Sequence, residues 1–433
     1  MRIVVVGTGY VGLVSGAGLA DFGNEVLCVD VNQSKIDLLE RGEIPFYEPG
    51  LKDLVGRNIR EKRLRFSTSL EQATRWGEVI FICVGTPQRP NGTADLRAVF
   101  AVAKSVAKAM PAYRLVIQKS TVPVGTGDQV HAILKRHAKR GIPFDVASNP
   151  EFLREGTAVE NFMRPDRIVI GTATERARKI LRSIYAPLYL LETPAVLTDV
   201  RTAELLKYAA NAFLATKISF VNEMANLCEV VGADIRDVAK GMGLDRRIGP
   251  KFLHPGPGFG GSCLPKDTEA LRAFARKAGV PVRIVGAVIE TNKAQRAIAT
   301  QKVLAALKGR GTRTAAILGL SYKPDTDDLR ESPALDLIRA LQRKGVQVRA
   351  FDPAVDRGAA GVPSGVTFGE NPYDAAKGAD VLVLVTEWNE FRRLDLPKIR
   401  RVMRRRAIVD LRNIYDPETV RRLGFTYTSV GRA

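Results

Sequence analysis

The stretch GFGGSCLPKD, from Gly258 to Asp267, sets a cysteine among glycines with a lysine and an aspartate close behind it. The chain has four cysteines. Cys28 and Cys83 lie in apolar, strand-like runs and Cys228 in a helical one, where a thiol packs as a small hydrophobe. No pair of cysteines has the spacing of a disulfide framework or a zinc site. Cys263 has no packing context of that kind. Its glycines are expected to leave room for a substrate beside the sulfur, and Lys207 or Lys266 could favour the thiolate.

Other groups could share that chemistry. Lys207 and Asn211 stand at i, i+4 on one helical pattern and share a face. Glu204, three residues before Lys207, offers a plainer alternative in which the two form a surface ion pair. NPEFLRE, from Asn149 to Glu155, is similarly open: a ligand loop at the end of a strand, or a charged helix start. The chain has three histidines. His131 and His137 are off one face of a helix, and His254 precedes the glycines. Acid–base work therefore falls to Lys, Asp, Glu and water.

The elements that must position these groups begin with GTGYVG, Gly7 to Gly12, between the strand RIVVVG and a helix over Val11 to Phe22. Gly7 makes the tight turn, Gly9 lets the backbone approach a pyrophosphate, and Gly12 lets helix and strand pack closely. The helix N-terminus supplies N–H groups to phosphate. Asp30 ends the strand Glu25 to Asp30, where a carboxylate accepts from a ribose 2′-hydroxyl and repels a 2′-phosphate. This reads as an NAD site. Strands at Val79 to Val84, Arg114 to Gln118 and Asp145 to Ser148 follow, alternating with helical patterns, which implies a parallel sheet.

From Arg201 to Val231 the chain has no Gly or Pro and is apolar at helical spacing, predicting one long helix that serves as a spine or a subunit interface. A second helical stretch covers Val282 to Leu307. TAAILGL from Thr314, VQVRAFD from Val346 and KGADVLVLVT from Lys377 then repeat the opening strands. The expected fold is α/β, with two Rossmann-like, doubly wound parallel-sheet domains joined by a central long helix.

On such a scaffold a cysteine has a specific use. An enzyme that only interconverts alcohol and carbonyl needs no thiol nucleophile. One that carries an alcohol to an acid removes two hydrides from one carbon. A thiolate can trap the intermediate aldehyde as a thiohemiacetal, and the thioester left by the second oxidation is then hydrolysed. A two-electron dehydrogenase of the β-hydroxy-acid type, with Cys263 incidental, stays open beside this. So does a non-enzymatic basic protein that binds an anionic polymer.

Bulk composition narrows the class. The 433 residues are 45% hydrophobic and 26% charged, with 66 Lys plus Arg against 46 Asp plus Glu, a net +20. That is a globular composition of two or three domains. No apolar run approaches the ~20 residues of a membrane span, and the MRIVVVG start is cut by glycines, so a cytoplasmic protein is expected. Apart from Lys398 to Arg406 the basic residues are scattered, and no nucleic-acid-binding motif accompanies them. We read them as a solvated basic surface that also attracts anionic ligands.

GTGYVG, SNPEFLREG (Ser148 to Gly156), the Lys207/Asn211 pair, GFGGSCLPKD and GLSYKPDTDDLRESP (Gly319 to Pro333) together resemble the UDP-glucose/GDP-mannose dehydrogenase family, in its order and spacing, from residue 1 to about 420. The resemblance implies an NAD-binding domain (1–200), a central dimerisation and catalytic-loop segment (201–308) and a C-terminal UDP-sugar-binding domain (309–433). It implies four-electron oxidation of a nucleotide sugar, UDP-glucose to UDP-glucuronate, with two NAD, no metal and a homodimer or higher oligomer. GDP-mannose and UDP-N-acetylmannosamine are the alternative substrates. Carried over by motif, Cys263 is the nucleophile and Lys207 and Asn211 stabilise oxyanions. Asp267 and Thr121 position a water, and Glu151 assists thioester hydrolysis with Glu155 beside the nicotinamide. For NAD the family reading adds Tyr10, Val11, Lys35, Thr86, Lys266 and Arg330. For substrate it adds Phe152, Leu153, Arg154, Phe252, Leu253, His254, Pro255, Gly256, Gly260 and Lys323, with Arg247 reaching a partner subunit's substrate.

Overall fold

The computed structural model describes residues 1–307 and 313–432; the domain boundary expected at 308/309 lies outside the described residues. The chain divides into two compact units, Met1–Ala210 and Asn211–Ala433. The dividing point falls inside one continuous helix, Val200–Val231, within a residue of the span the glycine-free pattern predicts.

The first unit is built on an eight-stranded sheet. Its strands are β1 (Arg2–Val6), β2 (Glu25–Val29), β3 (Leu64–Ser67), β4 (Val79–Ile82), β5 (Arg114–Gln118), β6 (Phe144–Ser148), β7 (Ile168–Thr172) and β8 (Ala195–Thr198). They lie in the order β3-β2-β1-β4-β5-β6-β7-β8. The first six are parallel. β7 pairs antiparallel with β6, and β8 runs parallel to β7, so the sheet is not parallel throughout as expected.

RIVVV reads as a continuous apolar run because both faces of the sheet are covered. Ile3 and Val5 join one core with Leu13, Ala17 and Phe81. Val4 and Val6 join the other with Ile80, Val102 and Val130. Each such side chain, fully buried, contributes about 1.5–3 kcal/mol.

The second unit repeats the scheme. Strands β9 (Arg313–Leu318), β10 (Val346–Phe351), β11 (Val366–Phe368), β12 (Val381–Leu384), β13 (Ala407–Asp410) and β14 (Thr426–Thr428) form a parallel sheet in the order β11-β10-β9-β12-β13-β14. This matches the first six strands position for position. Ile317 and Val383 face one core, Leu318 and Leu384 the other. The helices Val200–Val231, Leu264–Lys277 and Arg283–Ala306 carry or flank the glycine loop. Among the described residues no helix is long and apolar enough to cross a membrane.

Candidate active site

The glycine turn after β1 is shaped as its sequence predicts. Gly7 has φ +99°, and a Cβ on Gly12 would collide with the Gly7 carbonyl oxygen. A Cβ on Gly9 would meet nothing within 4 Å, so the space above it is open to a ligand, as a pyrophosphate requires. Asp30, at the end of β2, accepts from the Thr8 N–H (2.9 Å) and hydroxyl (2.8 Å) through one oxygen and from the Asn32 N–H (3.1 Å) through the other. Lys35 lies 3.4 Å away. Burial opposes the charge on Asp30, but the Thr8 and Asn32 hydrogen bonds and the Lys35 ammonium hold its carboxyl below its usual range. The turn, the open space at Gly9 and the ionised carboxylate fit a dinucleotide. Tyr10 and Val11 open the helix Tyr10–Asp21, and the Tyr10 hydroxyl meets the Gly156 N–H at 2.8 Å.

At the ends of β4 and β5, the Thr86 hydroxyl donates to the Thr121 carbonyl (2.8 Å), joining two predicted residues. The NPEFLRE loop leaves β6. One Glu151 oxygen lies 3.1 Å from the Lys207 ammonium, with both side chains almost fully buried. Its other oxygen accepts the Leu153 N–H at 2.5 Å. Lys207 and the Arg167 guanidinium both lie over the Phe152 ring, at 5.1 and 3.5 Å. Arg154 is exposed and Glu155 buried.

The surface ion pair considered for Glu204 and Lys207 is not formed. Glu204 is buried and accepts the N–H groups of Gly125 and Gly127 (2.7 Å each) at the start of the helix Thr126–His137. Burial pushes its carboxyl up to about 7, against the pull of those two hydrogen bonds. Lys207 turns to Glu151 instead.

The second unit holds the other set. Cys263 is half-buried and stands at the N-cap of the helix Leu264–Lys277, with its hydroxyl-bearing neighbour Ser262 at 3.6 Å from the sulfur. A helix N-terminus favours negative charge there. In the helix's first turn the buried Asp267 accepts from Asn211 (2.7 Å) and from Lys266 (2.6 Å), so the lysine expected at the cofactor or the thiol is committed to Asp267. Burial pushes the thiols of Cys28 upward and of Cys83 to about 12, in keeping with a packing role.

The loop glycines do not create clearance for a substrate. A Cβ on Gly260 would strike the Glu331 carbonyl oxygen, and one on Gly261 (φ +84°) would lie 2.6 Å from the Tyr322 ring. They let the loop press against Gly319–Pro333, where the Gly261 N–H donates to the Arg330 carbonyl at 3.0 Å. Side chains the sequence reading missed hold the loop from two helices. Asn222 accepts the Gly256 N–H and Gln295 donates to its carbonyl, both at 2.8 Å. Asn292 pairs with both backbone groups of Phe259, and Arg296 donates to the carbonyls of Phe259 and Glu331. Their signal was polar residues at helical spacing, which is also how a solvated face reads.

Within Phe252–Gly256, Phe252 sits at φ +65°, Leu253 and Pro255 are buried and His254 is exposed. Lys323 lies over the Tyr322 ring (5.5 Å), and exposed Arg330 pairs with Asp328 (2.7 Å). Arg247 is exposed and pairs with Asp245.

Comparisons with known proteins decide the family. Its NAD-binding domain model matches residues 1–189, its central domain model 201–294 and its UDP-binding domain model 316–417. The chain belongs to the UDP-glucose/GDP-mannose dehydrogenase family. It is 50% identical to the UDP-glucose 6-dehydrogenase of Rhizobium meliloti over 437 residues, covering all of both chains. It is 47% identical to the Pseudomonas aeruginosa enzyme of the same name over 443 residues, covering 100% of this chain and 98% of that one. Among solved structures, a UDP-glucose dehydrogenase from Pyrobaculum islandicum matches with a TM-score of 0.92 and 39% identity, covering 100% and 98% of the two chains. A UDP-D-ManNAc dehydrogenase from Pyrococcus horikoshii gives 0.87 and 29%, covering 100% and 99%. Membership makes the chain an NAD-dependent oxidoreductase with a nucleotide sugar as substrate.

Proposed function

We propose that this dehydrogenase oxidises UDP-glucose to UDP-glucuronate in two steps through a covalent adduct on Cys263. The observation that carries the reading is Cys263 at a helix N-terminus whose first turn presents Asp267, itself bonded to Asn211 and Lys266. The names of full-length relatives at 50% and 47% identity support UDP-glucose as the sugar nucleotide.

NAD, when bound, accepts a hydride from the sugar's C6 at each oxidation. Asp267, through a water positioned with Thr121, takes the C6 hydroxyl proton as the aldehyde forms. The Cys263 thiolate adds to the aldehyde carbon, making a C–S bond and a thiohemiacetal whose oxygen Lys207 and Asn211 stabilise. Loss of the second hydride from that carbon leaves a thioester. Water then attacks the carbonyl with the help of Glu151, the C–S bond breaks, and sulfur departs as thiolate. Glu155, Lys35, Thr86, Lys266 and Arg330 complete the dinucleotide site in this reading. Phe152, Leu153, Arg154, residues 252–256, Gly260 and Lys323 hold the sugar nucleotide.

We further propose the division into 1–200, 201–308 and 309–433 as cofactor, dimerisation and sugar-nucleotide parts. The long helix supports the dimer: Phe213, Phe220 and Leu227, seven residues apart on one face, are 66%, 43% and 52% exposed. An apolar stripe of this kind is stabilised when a second copy covers it, and in this reading Arg247 serves the partner's site.

Supplying NAD with UDP-glucose, GDP-mannose or UDP-N-acetylmannosamine in parallel, and following NADH, tests the substrate. UDP-glucose should be turned over with the highest kcat/KM. Preferential turnover of either other sugar nucleotide would overturn the assignment.

A further inference from the structure

Lys119, just after β5, is 4% exposed, yet among the described residues the hydrogen-bond partners of its ammonium are neutral. The ammonium reaches the Asn149 side-chain oxygen at 3.1 Å, the Asn149 carbonyl at 3.5 Å and the Tyr185 hydroxyl at 3.4 Å. It also lies 5.9 Å from the Phe81 ring centroid and 6.0 Å from that of Tyr185. A buried cation with no counter-ion in contact is costly, and a methionine would fill the same space without that penalty. Such a charge is retained where its field or its hydrogen bonds do work.

What it touches points to Glu151. Asn149, two residues upstream, is held at both ends of its amide: its side-chain oxygen accepts from Lys119 and from Tyr185 (2.6 Å), and its NH2 group donates to the Val169 carbonyl (2.8 Å). Its backbone N–H donates to the Gln118 carbonyl at 2.9 Å, tying the turn back to β5. The turn that carries Glu151 is therefore anchored through Asn149, independently of Lys207. Lys119 and Glu151 line one pocket, and both lie near the Cys83 thiol. Among the described residues, Lys207 from the long helix, Arg164, Asp166 and Arg167 ahead of β7, Tyr185 and the Cys83 thiol are the other titratable and charged surroundings of Glu151.

We infer that Lys119 is a positioning residue for Glu151: it fixes the Asn149–Glu151 turn while Lys207 engages the carboxylate. The inference rests on the proposed role of Glu151 in thioester hydrolysis. With the anchor removed, Glu151 is held less firmly for that step, so hydrolysis should slow while binding of the sugar nucleotide stays unchanged.

The test compares kcat and KM for UDP-glucose in the full-length enzyme and its Lys119→Met, Tyr185→Phe and Glu151→Gln variants, with mass spectrometry of the sugar adduct on Cys263 during turnover. In Lys119→Met kcat should fall about three- to tenfold with KM little changed and the adduct accumulating, the signature of slowed hydrolysis. Tyr185→Phe, which keeps the contact between Lys119 and Asn149, should stay near the parent. If the methionine variant does not fold, Lys119→Gln removes the charge with a shorter side chain that keeps an N–H donor. An unchanged kcat with no adduct accumulating in a folded neutral variant, with Glu151→Gln impaired, would overturn the role of Lys119. A fully active Glu151→Gln would instead overturn the role of Glu151, and this inference with it.

Discussion

At the scale of single residues, the site is a set of buried charges with definite partners. Glu151 with Lys207, and Asn211 with Asp267 and Lys266, are hydrogen-bonded before any substrate arrives. Donors fixed in advance stabilise a developing oxyanion without reorganising at the moment of reaction. Replacing Lys207 or Asn211 by alanine should therefore lower kcat about 100- to 1,000-fold, read from steady-state NADH production, while the folded fraction seen by circular dichroism stays unchanged. A loss under tenfold in both variants would remove them from the oxyanion role. The half-buried loop position of Cys263 and the strand-end position of Asp30 were legible in the sequence because their sequence neighbours carry the signal: glycines for one, an apolar strand for the other. Glu204 was misread for the opposite reason, since its partners, Gly125 and Gly127, lie far from it in the chain.

At the scale of elements, strand and helix limits followed the apolar pattern closely. β5 and the long helix fall within a residue of their predicted spans. The antiparallel β7 and β8 were missed, because their short runs do not announce direction and nothing local separates a parallel from an antiparallel neighbour. The reason for the loop's glycines was not legible in the sequence. They answer to the Tyr322 ring and the Glu331 backbone, contacts across some 60 to 70 residues of sequence.

Glu204 gives this scale its own prediction. Its carboxyl is raised to about 7 in the folded unit by burial, above its unfolded value. Between roughly pH 4.5 and 7 the folded state then binds the extra proton, so the stability Glu204 contributes is full below that window and is lost as pH rises through it. The melting temperature of Glu204→Gln, set against the parent across pH 5 to 8, should show the parent losing relative stability with rising pH. A difference that stays flat would contradict this.

At the scale of the molecule, two sheets of the same strand order carry unequal duties. Asp352 ends β10 as Asp30 ends β2, and it accepts from Ser321 through the N–H and hydroxyl as Asp30 does from Thr8. Asp352, however, is 5% exposed and also receives the Leu320 N–H and the Trp388 indole on the same oxygen and the Ala354 N–H on the other, so its carboxylate is covered by the protein's own donors. This fits a dinucleotide site in the first unit, where the NAD-binding domain model matches, and the UDP-binding domain model matches within the second. Assembly belongs to this scale too. Aspartate at both Phe213 and Leu227 should convert the protein to monomers in light scattering, and an unchanged mass would remove that helix face from the interface.

The central claim is that one thiol carries the sugar between two oxidations. Full conversion of a limiting amount of UDP-glucose with excess NAD should yield two NADH per sugar, with UDP-glucuronate as the product, and Cys263→Ala should form no UDP-glucuronate. One NADH per sugar, or full activity in Cys263→Ala, would contradict it.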